Sequence, residues 1–113
     1  LTPETQGILN AGTLAALPKG AVLINIARGA HLVEGDLVAA LDRGHVKAAV
    51  LDVFAEEPLA RGHPFWTHPA IVVTPHIAGT TNPVTAAAQV AENIRRIRAG
   101  QPLLNPVDPQ SGY

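Results

Sequence analysis

The stretch AVLINI, residues 21–26, decides the fold, because it is an apolar run bounded by turn-forming residues on both sides. An uninterrupted apolar run of this length is typical of a strand that is buried on both faces of a parallel sheet. We therefore predict a β-strand over residues 21–26, in a sheet covered by helices.

Two further apolar runs repeat this pattern, over residues 46–53 and 71–74. Between the first two runs, residues 34–43 place apolar side chains at helical spacing, and Gly44 follows where a left-handed C-terminal cap belongs. The order strand, helix, strand predicts parallel strands joined by right-handed crossovers, which is an α/β fold.

The flanking segments predict two more helices and a long connection. Asn10 is a candidate N-cap for a short helix over residues 11–17, and a long helix is predicted from Thr81 to about residue 99. A proline-rich connection over residues 55–69 separates the second and third strands. The tail over residues 101–113 has no periodicity, so it either docks on another element or stays mobile.

Composition excludes several classes of function. The 113 residues carry eight basic and nine acidic side chains and no cysteine. This balance disfavours nucleic acid and membrane surfaces as partners, and the lack of cysteine excludes disulfides, thiol nucleophiles and thiolate metal sites. We expect one compact, cytoplasmic domain. Because the sequence starts at Leu1 without a methionine, we also expect it to be part of a longer protein.

Ionisable side chains follow each of the three predicted strands. Arg28 follows the first strand, Asp52 and Glu57 follow the second, and His76 follows the third. Because ligands of open parallel sheets bind beyond the carboxyl ends of the strands, we expect these side chains to share one edge of the sheet.

These residue types suit chemistry on a small acid. The guanidinium of Arg28 can grip a carboxylate through two parallel hydrogen bonds. His76 can give a proton to a developing alkoxide and take one back in the reverse direction. A carboxylate such as Glu57 on the other ring nitrogen would fix the tautomer of the histidine.

Each of these residues also has a purely structural interpretation. Arg28 could be a surface ion-pair partner, and His76 could cap the turn that follows it. Asp52 could only satisfy loop amides, and Glu56 and Glu57 could be a solvated pair. These alternatives stay open at the level of sequence.

A zinc site built from His63, His68 and His76 is conceivable, but each of these has a proline beside it and none shows helical or finger spacing. We therefore expect no metal. Four histidines are interpreted as surface or packing residues: His31, His45, His63 and His68.

Three segments resemble motifs of the D-isomer-specific 2-hydroxyacid dehydrogenases. Residues 17–29 resemble the arginine signature of that family, residues 51–59 its aspartate-to-glutamate segment, and residues 74–79 its histidine segment. Residues 1–5 and 63–66 are also typical. The resemblance extends over nearly the whole chain, with the motifs in the family's order.

The resemblance implies a partial Rossmann-like parallel sheet of about three buried strands, with flanking helices and a long C-terminal helix. Residues 1–80 would be the C-terminal half of a nucleotide-binding domain. Residues 81–113 would be a helix and tail that return toward a substrate domain absent from this sequence. We also expect a homodimer, because such a sheet leaves an open edge strand and the predicted helix over residues 81–99 leaves its apolar face uncovered.

The activity that the resemblance implies is a reversible hydride transfer between a nicotinamide cofactor and a 2-oxo acid such as glyoxylate or hydroxypyruvate. Arg28 would hold the substrate carboxylate and polarise the carbonyl, His76 would donate the proton, and Glu57 would orient His76. Trp66 would lie near the substrate. Cofactor contacts would come from the following residues: Ile26, Ala27, Arg28, Asp52, His76, Ala78 and Gly79.

The G-x-G-x-x-G loop that binds the pyrophosphate in dinucleotide-binding folds does not occur in these residues. The residue that separates NAD from NADP also lies outside them, so the cofactor is either of the two. We therefore expect this chain to be inactive alone. The alternative is a non-catalytic module that associates with itself or with a partner.

Within the family, the sequence most resembles a branch of reductases that act on glyoxylate and hydroxypyruvate. Three features carry this resemblance: residues 30–37, the turn over residues 64–69, and the C-terminal pair Gly112-Tyr113.

Overall fold

The structure is a computed structural model that describes residues 1–110. Three helices and three strands occur in these residues, with short 3-10 turns between them. In chain order the elements are α1 (Ala11–Ala15), β1 (Ala21–Asn25), α2 (Glu34–Asp42), β2 (Val46–Leu51), β3 (Ile71–Val73) and α3 (Pro83–Arg98). The chain divides into two compact units, one formed by residues 3–79 with Leu1, and the other by the residues from Thr80 onward with Thr2.

The first unit is built on a parallel sheet with the strand order β1-β2-β3. Its register aligns Asn25 with Leu51 and Leu51 with Val73, so the last residues of the three strands form one row. The predicted α/β fold with three parallel strands is confirmed. All three strands therefore deliver the residues that follow them to the same edge.

One face of the sheet carries the hydrophobic core. Leu23, Ala49 and Leu51 on this face are at most 9% exposed. Helices α1 and α2 pack over them, and two aromatic rings close the layer. The buried residues from these elements are Leu14, Leu37, Ala40, Leu41, Phe54 and Phe65.

The opposite face of the sheet is open, so the prediction that the strands are buried on both faces is wrong for the described residues. Val22, Ile24 and Val72 are 53%, 63% and 56% exposed. The register places Ile24, Val50 and Val72 in one row on this face. The helices of the first unit cover only the other face, which leaves this apolar row in contact with solvent.

Several elements are predicted one or two residues too long. Strands β1 and β2 end at Asn25 and Leu51 rather than at residues 26 and 53. Helix α1 ends at Ala15 instead of Leu17. Hydrogen bonding ends regular structure earlier than the apolar pattern does: Leu17 and Val53 lie beyond the ends of their elements yet pack on the core or are buried, whereas Ile26 is 57% exposed.

Helix α3 in the second unit begins at Pro83 instead of Thr81. The side chain of Asn82 accepts hydrogen bonds from the backbone N–H groups of Val84 and Thr85, which makes Asn82 the N-cap. Proline at the first helical position fits this start, because its missing N–H would have no partner there.

The tail docks on helix α3 of the same unit. Asn93 accepts a hydrogen bond from the N–H of Leu104 (2.8 Å) and donates one to its carbonyl (3.4 Å). Arg96 donates to the carbonyl of Pro102 (3.2 Å). Gly112 and Tyr113 lie outside the described residues. None of the helices in residues 1–110 has both the length and the apolar character needed to cross a membrane.

Gly29 lies where two loops of the first unit approach each other closely. A Cβ atom at this position would lie 1.9 Å from the carbonyl carbon and oxygen of Phe54 and 2.5 Å from the backbone nitrogen of Ala55. No side chain fits at that distance. The loop that carries Arg28 can therefore pack on the backbone of Phe54 only through glycine.

We predict that Gly29→Ala destabilises the chain by about 3 kcal/mol, the upper end of the usual cost of overpacking, because the obstructing atoms are backbone. Urea denaturation measures this loss. Gly35→Ala is the matched control: its Cβ would meet no atom within 4 Å in helix α2, so stability should stay equal or rise by up to about 1 kcal/mol. Equal stability of the two variants would contradict the close approach.

Candidate active site

The three strand ends bring Arg28, Glu57 and His76 together. These side chains line one cavity of about 250 Å³, along with Gly29, Phe54 and Ala55. Arg28 lies three residues beyond β1, and His76 lies three residues beyond β3. The cavity is large enough for a small organic acid, and it presents one guanidinium, one carboxylate and one imidazole.

Glu57 and His76 form a hydrogen-bonded pair. Oε2 of Glu57 lies 2.8 Å from Nδ1 of His76, and the side chains are 36% and 48% exposed. Oε1 of Glu57 accepts the N–H of Phe54 at 3.0 Å. The bond from His76, then that from Phe54, and the charges of His76 and Arg28 outweigh desolvation and lower the pKa of Glu57 below its usual 4.5. Glu57 is thus held as a charged acceptor, and Nε2 of His76 is the ring nitrogen left for other partners.

Asp52 anchors the loop that carries His76. Its carboxylate is 1% exposed and accepts hydrogen bonds from the Thr74 hydroxyl (2.5 Å) and the N–H groups of Ile77 and Ala78 (2.9 Å each). Burial alone would raise the pKa of Asp52, but these three bonds and the nearby His76 lower it overall. Asp52 therefore satisfies loop amides, which is the structural interpretation that the sequence left open.

The backbone of His76 has φ +53°, in the left-handed region that few residues other than glycine adopt. Such a conformation costs of order 1 kcal/mol and persists only where its surroundings impose it. The two N–H groups that Asp52 accepts belong to the residues directly after His76. Asp52 and Glu57 therefore fix the backbone and the ring of His76 separately.

Arg28 lies on a turn that the side chain of Asn25 builds. Asn25 is 4% exposed; its Oδ1 accepts the N–H of Ala27 (3.2 Å), and its Nδ2 donates to the carbonyl of Arg28 (3.1 Å). The guanidinium donates to the Ala27 carbonyl at 2.6 Å. Within residues 1–110 no carboxylate lies within ion-pair distance of Arg28.

A second cavity, of about 410 Å³, is also lined by Glu57 and His76. Its remaining walls are apolar or aromatic. Trp66 is one of them; it is 53% exposed and donates its indole N–H to the Ala60 carbonyl at 2.8 Å. The other lining residues are Phe54, Pro58, Leu59, Val73 and Pro75.

The backbone segments predicted to contact a cofactor lie at the same edge of the sheet. Ile26 and Ala27 follow β1, and Ala78 and Gly79 follow β3. A Cβ on Gly79 would meet open space. The contacts of these residues with a cofactor stay predictions, as do the roles of the ionisable side chains.

The three histidines of the zinc alternative are each paired with a different carboxylate: His63 with Glu34, His68 with Asp42, and His76 with Glu57. Residues 1–110 contain no cluster of three or more histidine, cysteine, aspartate or glutamate residues that could hold a metal ion.

Sequence reasoning missed two residues that shape the loops of the site, Asn25 and Thr74, and it missed the pairing of Glu34 with His63. Asn25 did give a signal, since it is the one polar residue inside an otherwise apolar strand. Thr74 directly precedes the Pro75-His76 pair. Glu34 and His63 are 29 positions apart, and nothing in the sequence indicates that they meet.

A three-stranded parallel sheet with a carboxylate, an imidazole and a guanidinium beyond the carboxyl ends of its strands is typical of a Rossmann-type ligand-binding unit. Comparison with known families agrees. The family model "D-isomer specific 2-hydroxyacid dehydrogenase, NAD binding domain" matches residues 1–78. The chain belongs to this family.

Curated relatives carry the same resemblance over a longer stretch. Glyoxylate/hydroxypyruvate reductase A of Photorhabdus laumondii is 54% identical over 112 residues, and that of Serratia proteamaculans is 55% identical over 112 residues. In both comparisons the match covers 99% of this chain and 36% of the relative. The chain thus spans about a third of the length of these relatives.

Solved structures of relatives share the fold. A D-isomer specific 2-hydroxyacid dehydrogenase from Xanthobacter autotrophicus Py2, in complex with NADPH and MES, is 56% identical with a TM-score of 0.94, and the match covers 100% of this chain and 47% of that one. An NADPH-dependent glyoxylate/hydroxypyruvate reductase from Sinorhizobium meliloti, in complex with NADP and sulfate, is 42% identical with a TM-score of 0.90, covering 100% and 37%.

We predict that Asp52→Asn lowers the urea midpoint at pH 7, because an amide places a donor where the carboxylate accepts backbone N–H groups. The folded-state pKa of Asp52 lies below the usual 3.8. The charged carboxylate therefore contributes its full stabilisation of the fold above pH 3.8, and this contribution is lost as the pH falls through the lowered pKa. The two midpoints should therefore converge in acid.

Denaturation from pH 7 to about pH 2.5 measures this convergence. Glu56→Gln, a change to a neighbouring exposed carboxylate, serves as the control and should leave the midpoint at pH 7 unchanged. A difference in urea midpoint between the wild type and Asp52→Asn that stays constant from pH 7 to acid would contradict the assigned hydrogen bonds.

Proposed function

We propose that the protein containing this chain is an NAD(P)-dependent oxidoreductase that reduces a small 2-oxo acid, such as glyoxylate or hydroxypyruvate, to the 2-hydroxy acid and catalyses the reverse reaction. The cavity shared by Arg28, Glu57 and His76 is the observation that carries this proposal. The family of the chain and the names of its relatives support it.

The residues present fit the nicotinamide end of such a cofactor. Beyond the carboxyl ends of the strands lie exposed apolar side chains, Ile26 and Ile77, and the open surface at Gly79. A flat ring could lie against these groups, next to the acid-base pair. When bound, a reduced nicotinamide supplies the hydride that the carbonyl carbon of the substrate accepts.

Arg28 binds the substrate in this proposal. Its guanidinium lines the cavity, and two of its N–H groups can bind a carboxylate in parallel. A further N–H directed at the 2-oxo oxygen would stabilise the negative charge that develops there. The turn built by Asn25 holds Arg28 at the cavity, so binding does not require the backbone to reorganise.

His76 supplies the proton. As the carbonyl carbon gains the hydride, its oxygen takes a proton from Nε2 of His76, and in the reverse direction Nε2 takes that proton back. Glu57 bonds to Nδ1 and stabilises the charged imidazole before the transfer. The hydrogen bonds from His76 and Phe54 lower the pKa of Glu57 below its usual 4.5, so Glu57 carries its negative charge at neutral pH.

We further propose that residues 1–80 form half of a nucleotide-binding domain and that residues 81–113 continue toward a substrate domain. These residues contain no G-x-G-x-x-G loop to hold a pyrophosphate. Because positioning supplies a large part of the rate, we expect the 113-residue chain to have no measurable reductase activity by itself.

A chimera tests the proposed activity. The matching 112 residues of the Serratia proteamaculans relative are replaced by those of this chain, and oxidation of NADPH or NADH is followed with glyoxylate or hydroxypyruvate. We expect an active chimera and an inactive isolated chain. Arg28→Lys should lower kcat/KM by about 100-fold, because losing one charge-assisted hydrogen bond costs about 1.5–3 kcal/mol. His76→Gln should lower kcat by about 100-fold or more.

Arg43→Lys is the control, since Arg43 is an exposed residue at the end of helix α2 and should leave kcat/KM unchanged. A correctly folded chimera without turnover, or one that tolerates His76→Gln, would refute the assigned chemistry. Turnover by the isolated chain would refute its expected inactivity.

A second candidate function is association of this chain with a copy of itself, as in a homodimer, or with a partner. The observation that favours it is the open apolar row on the sheet, where Ile24 and Val72 are more than half exposed. Edge strand β1 pairs only with β2 in the described residues, so it can also accept another strand.

We predict that this chain sediments as a dimer or larger species at high concentration, because burying an apolar row of this kind is favourable. Ile24→Lys should shift the equilibrium toward the monomer, whereas the control Lys47→Glu, on an exposed side chain of β2, should shift it less. A strict monomer at all concentrations contradicts association.

A further inference from the structure

We propose that Glu34 and His63 form a positioning pair, which sets the geometry of Glu57 and His76 through the backbone of Phe54 and Ala55. This inference rests on the proposed function, because it concerns the same acid-base pair. Neither residue lines the cavity that Arg28, Glu57 and His76 share.

Glu34 ties helix α2 to the connection that follows β2. It is the first residue of the helix, and its two carboxylate oxygens bind different groups. Oε1 accepts the N–H of Ala55 at 3.1 Å, and Oε2 lies 3.2 Å from Nε2 of His63. Both side chains are 22% exposed. One carboxylate therefore joins two points of the connection, which are eight positions apart, to one rigid helix.

His63 is fixed in turn. Its Nδ1 accepts the N–H of Phe65 at 3.3 Å, which makes His63 the N-cap of the 3-10 turn Pro64–Trp66. Its ring packs edge-on against Phe65, with the centroids 4.4 Å apart. Phe65 is 1% exposed in the core. Because Nδ1 is an acceptor, Nε2 carries the hydrogen and donates it to Glu34.

The backbone that Glu34 holds is the backbone that supports the site. The N–H of Phe54 is bonded to Glu57, and the next N–H along the chain, that of Ala55, is bonded to Glu34. Gly29, next to Arg28, packs on the carbonyl of Phe54. Movement of this segment would therefore displace the support of Glu57 and the loop of Arg28 together.

A second pair of the same chemistry provides a matched control. His68 accepts the N–H of Ala70 on Nδ1 (3.1 Å), and its Nε2 lies 3.3 Å from Oδ1 of Asp42. Asp42 is the last residue of α2, so the two pairs fasten the two ends of one helix. Only the Glu34–His63 pair bonds to the backbone next to Phe54.

The test compares His63→Asn with His68→Asn. Asparagine can still accept a hydrogen bond from the N–H that each histidine caps, but it is too short to reach the carboxylate on helix α2. Each variant therefore removes one side-chain bond to α2 and keeps the local turn. A merely structural role would leave the titration of Glu57 and kcat unchanged in both variants. His63→Asn should lower the urea midpoint more than His68→Asn, because His63 also packs on Phe65 and its partner Glu34 is 22% exposed, whereas Asp42 is 66% exposed.

The first readout is the titration of the Glu57 carboxyl carbon by NMR in the 113-residue chain, which needs no activity. The bond from His76, then that from Phe54, and the charges of His76 and Arg28 keep the pKa of Glu57 below its usual 4.5. His63→Asn should move this pKa toward 4.5, and His68→Asn should leave it in place.

The second readout is kcat in the chimera, at saturating substrate. His63→Asn should lower kcat by roughly 10-fold or more with a smaller change in KM, because a small displacement of the acid-base pair slows proton transfer. His68→Asn should leave kcat unchanged. Glu34→Gln, which keeps the bond to Ala55 and loses the one to His63, should resemble His63→Asn, and the double variant should not be worse than either.

Equal effects of His63→Asn and His68→Asn on the Glu57 titration, or no effect of His63→Asn, would overturn the positioning pair. An inactive unsubstituted chimera would instead refute the proposed function, while the NMR titration would still decide whether the pair holds Glu57. If His63→Asn fails to fold, Glu34→Gln provides the same comparison.

Discussion

The candidate site depends on the parallel register of three short strands. Asn25, Leu51 and Val73 end in one row, so the chain leaves the sheet three times at the same edge. Residues distant in sequence, Arg28 and His76, thereby reach the same cavity. An antiparallel arrangement would place successive strand ends at opposite edges.

Beyond the strand ends, side-chain acceptors give the loops their shape. Asn25 holds the turn of Arg28, Asp52 holds the loop of His76, and Glu57 holds both the ring of His76 and the N–H of Phe54. Each acceptor satisfies backbone N–H groups that the strands no longer pair. The groups proposed for chemistry are therefore set by bonds that also complete the fold, which is why a site this exposed can have a defined geometry.

Sequence patterns predicted the three strands and the three helices, because apolar runs and helical spacing report directly on the core. They could not predict that one face of the sheet is open. The residues of β1 and β3 are apolar on both faces, and the sequence does not say what covers the second one. The ends of the elements were also displaced by one or two residues, since backbone hydrogen bonding ends the strands before the apolar pattern does and the side chain of Asn82 sets the start of α3.

For the site, the sequence predicted which residue types follow the strands, and Arg28, Glu57 and His76 do meet. The two hydrogen bonds that Asp52 accepts from Ile77 and Ala78 arise only from tertiary contact, as does the pairing of Glu34 with His63. The sequence could therefore not predict them. We propose that one cavity takes a small carboxylic acid between Arg28 and His76. A crystal structure of the chimera with oxalate is the most direct test. We expect one oxalate bonded to the Arg28 guanidinium and to Nε2 of His76, with Glu57 on Nδ1. Oxalate bound elsewhere, or these side chains in separate cavities, would contradict it.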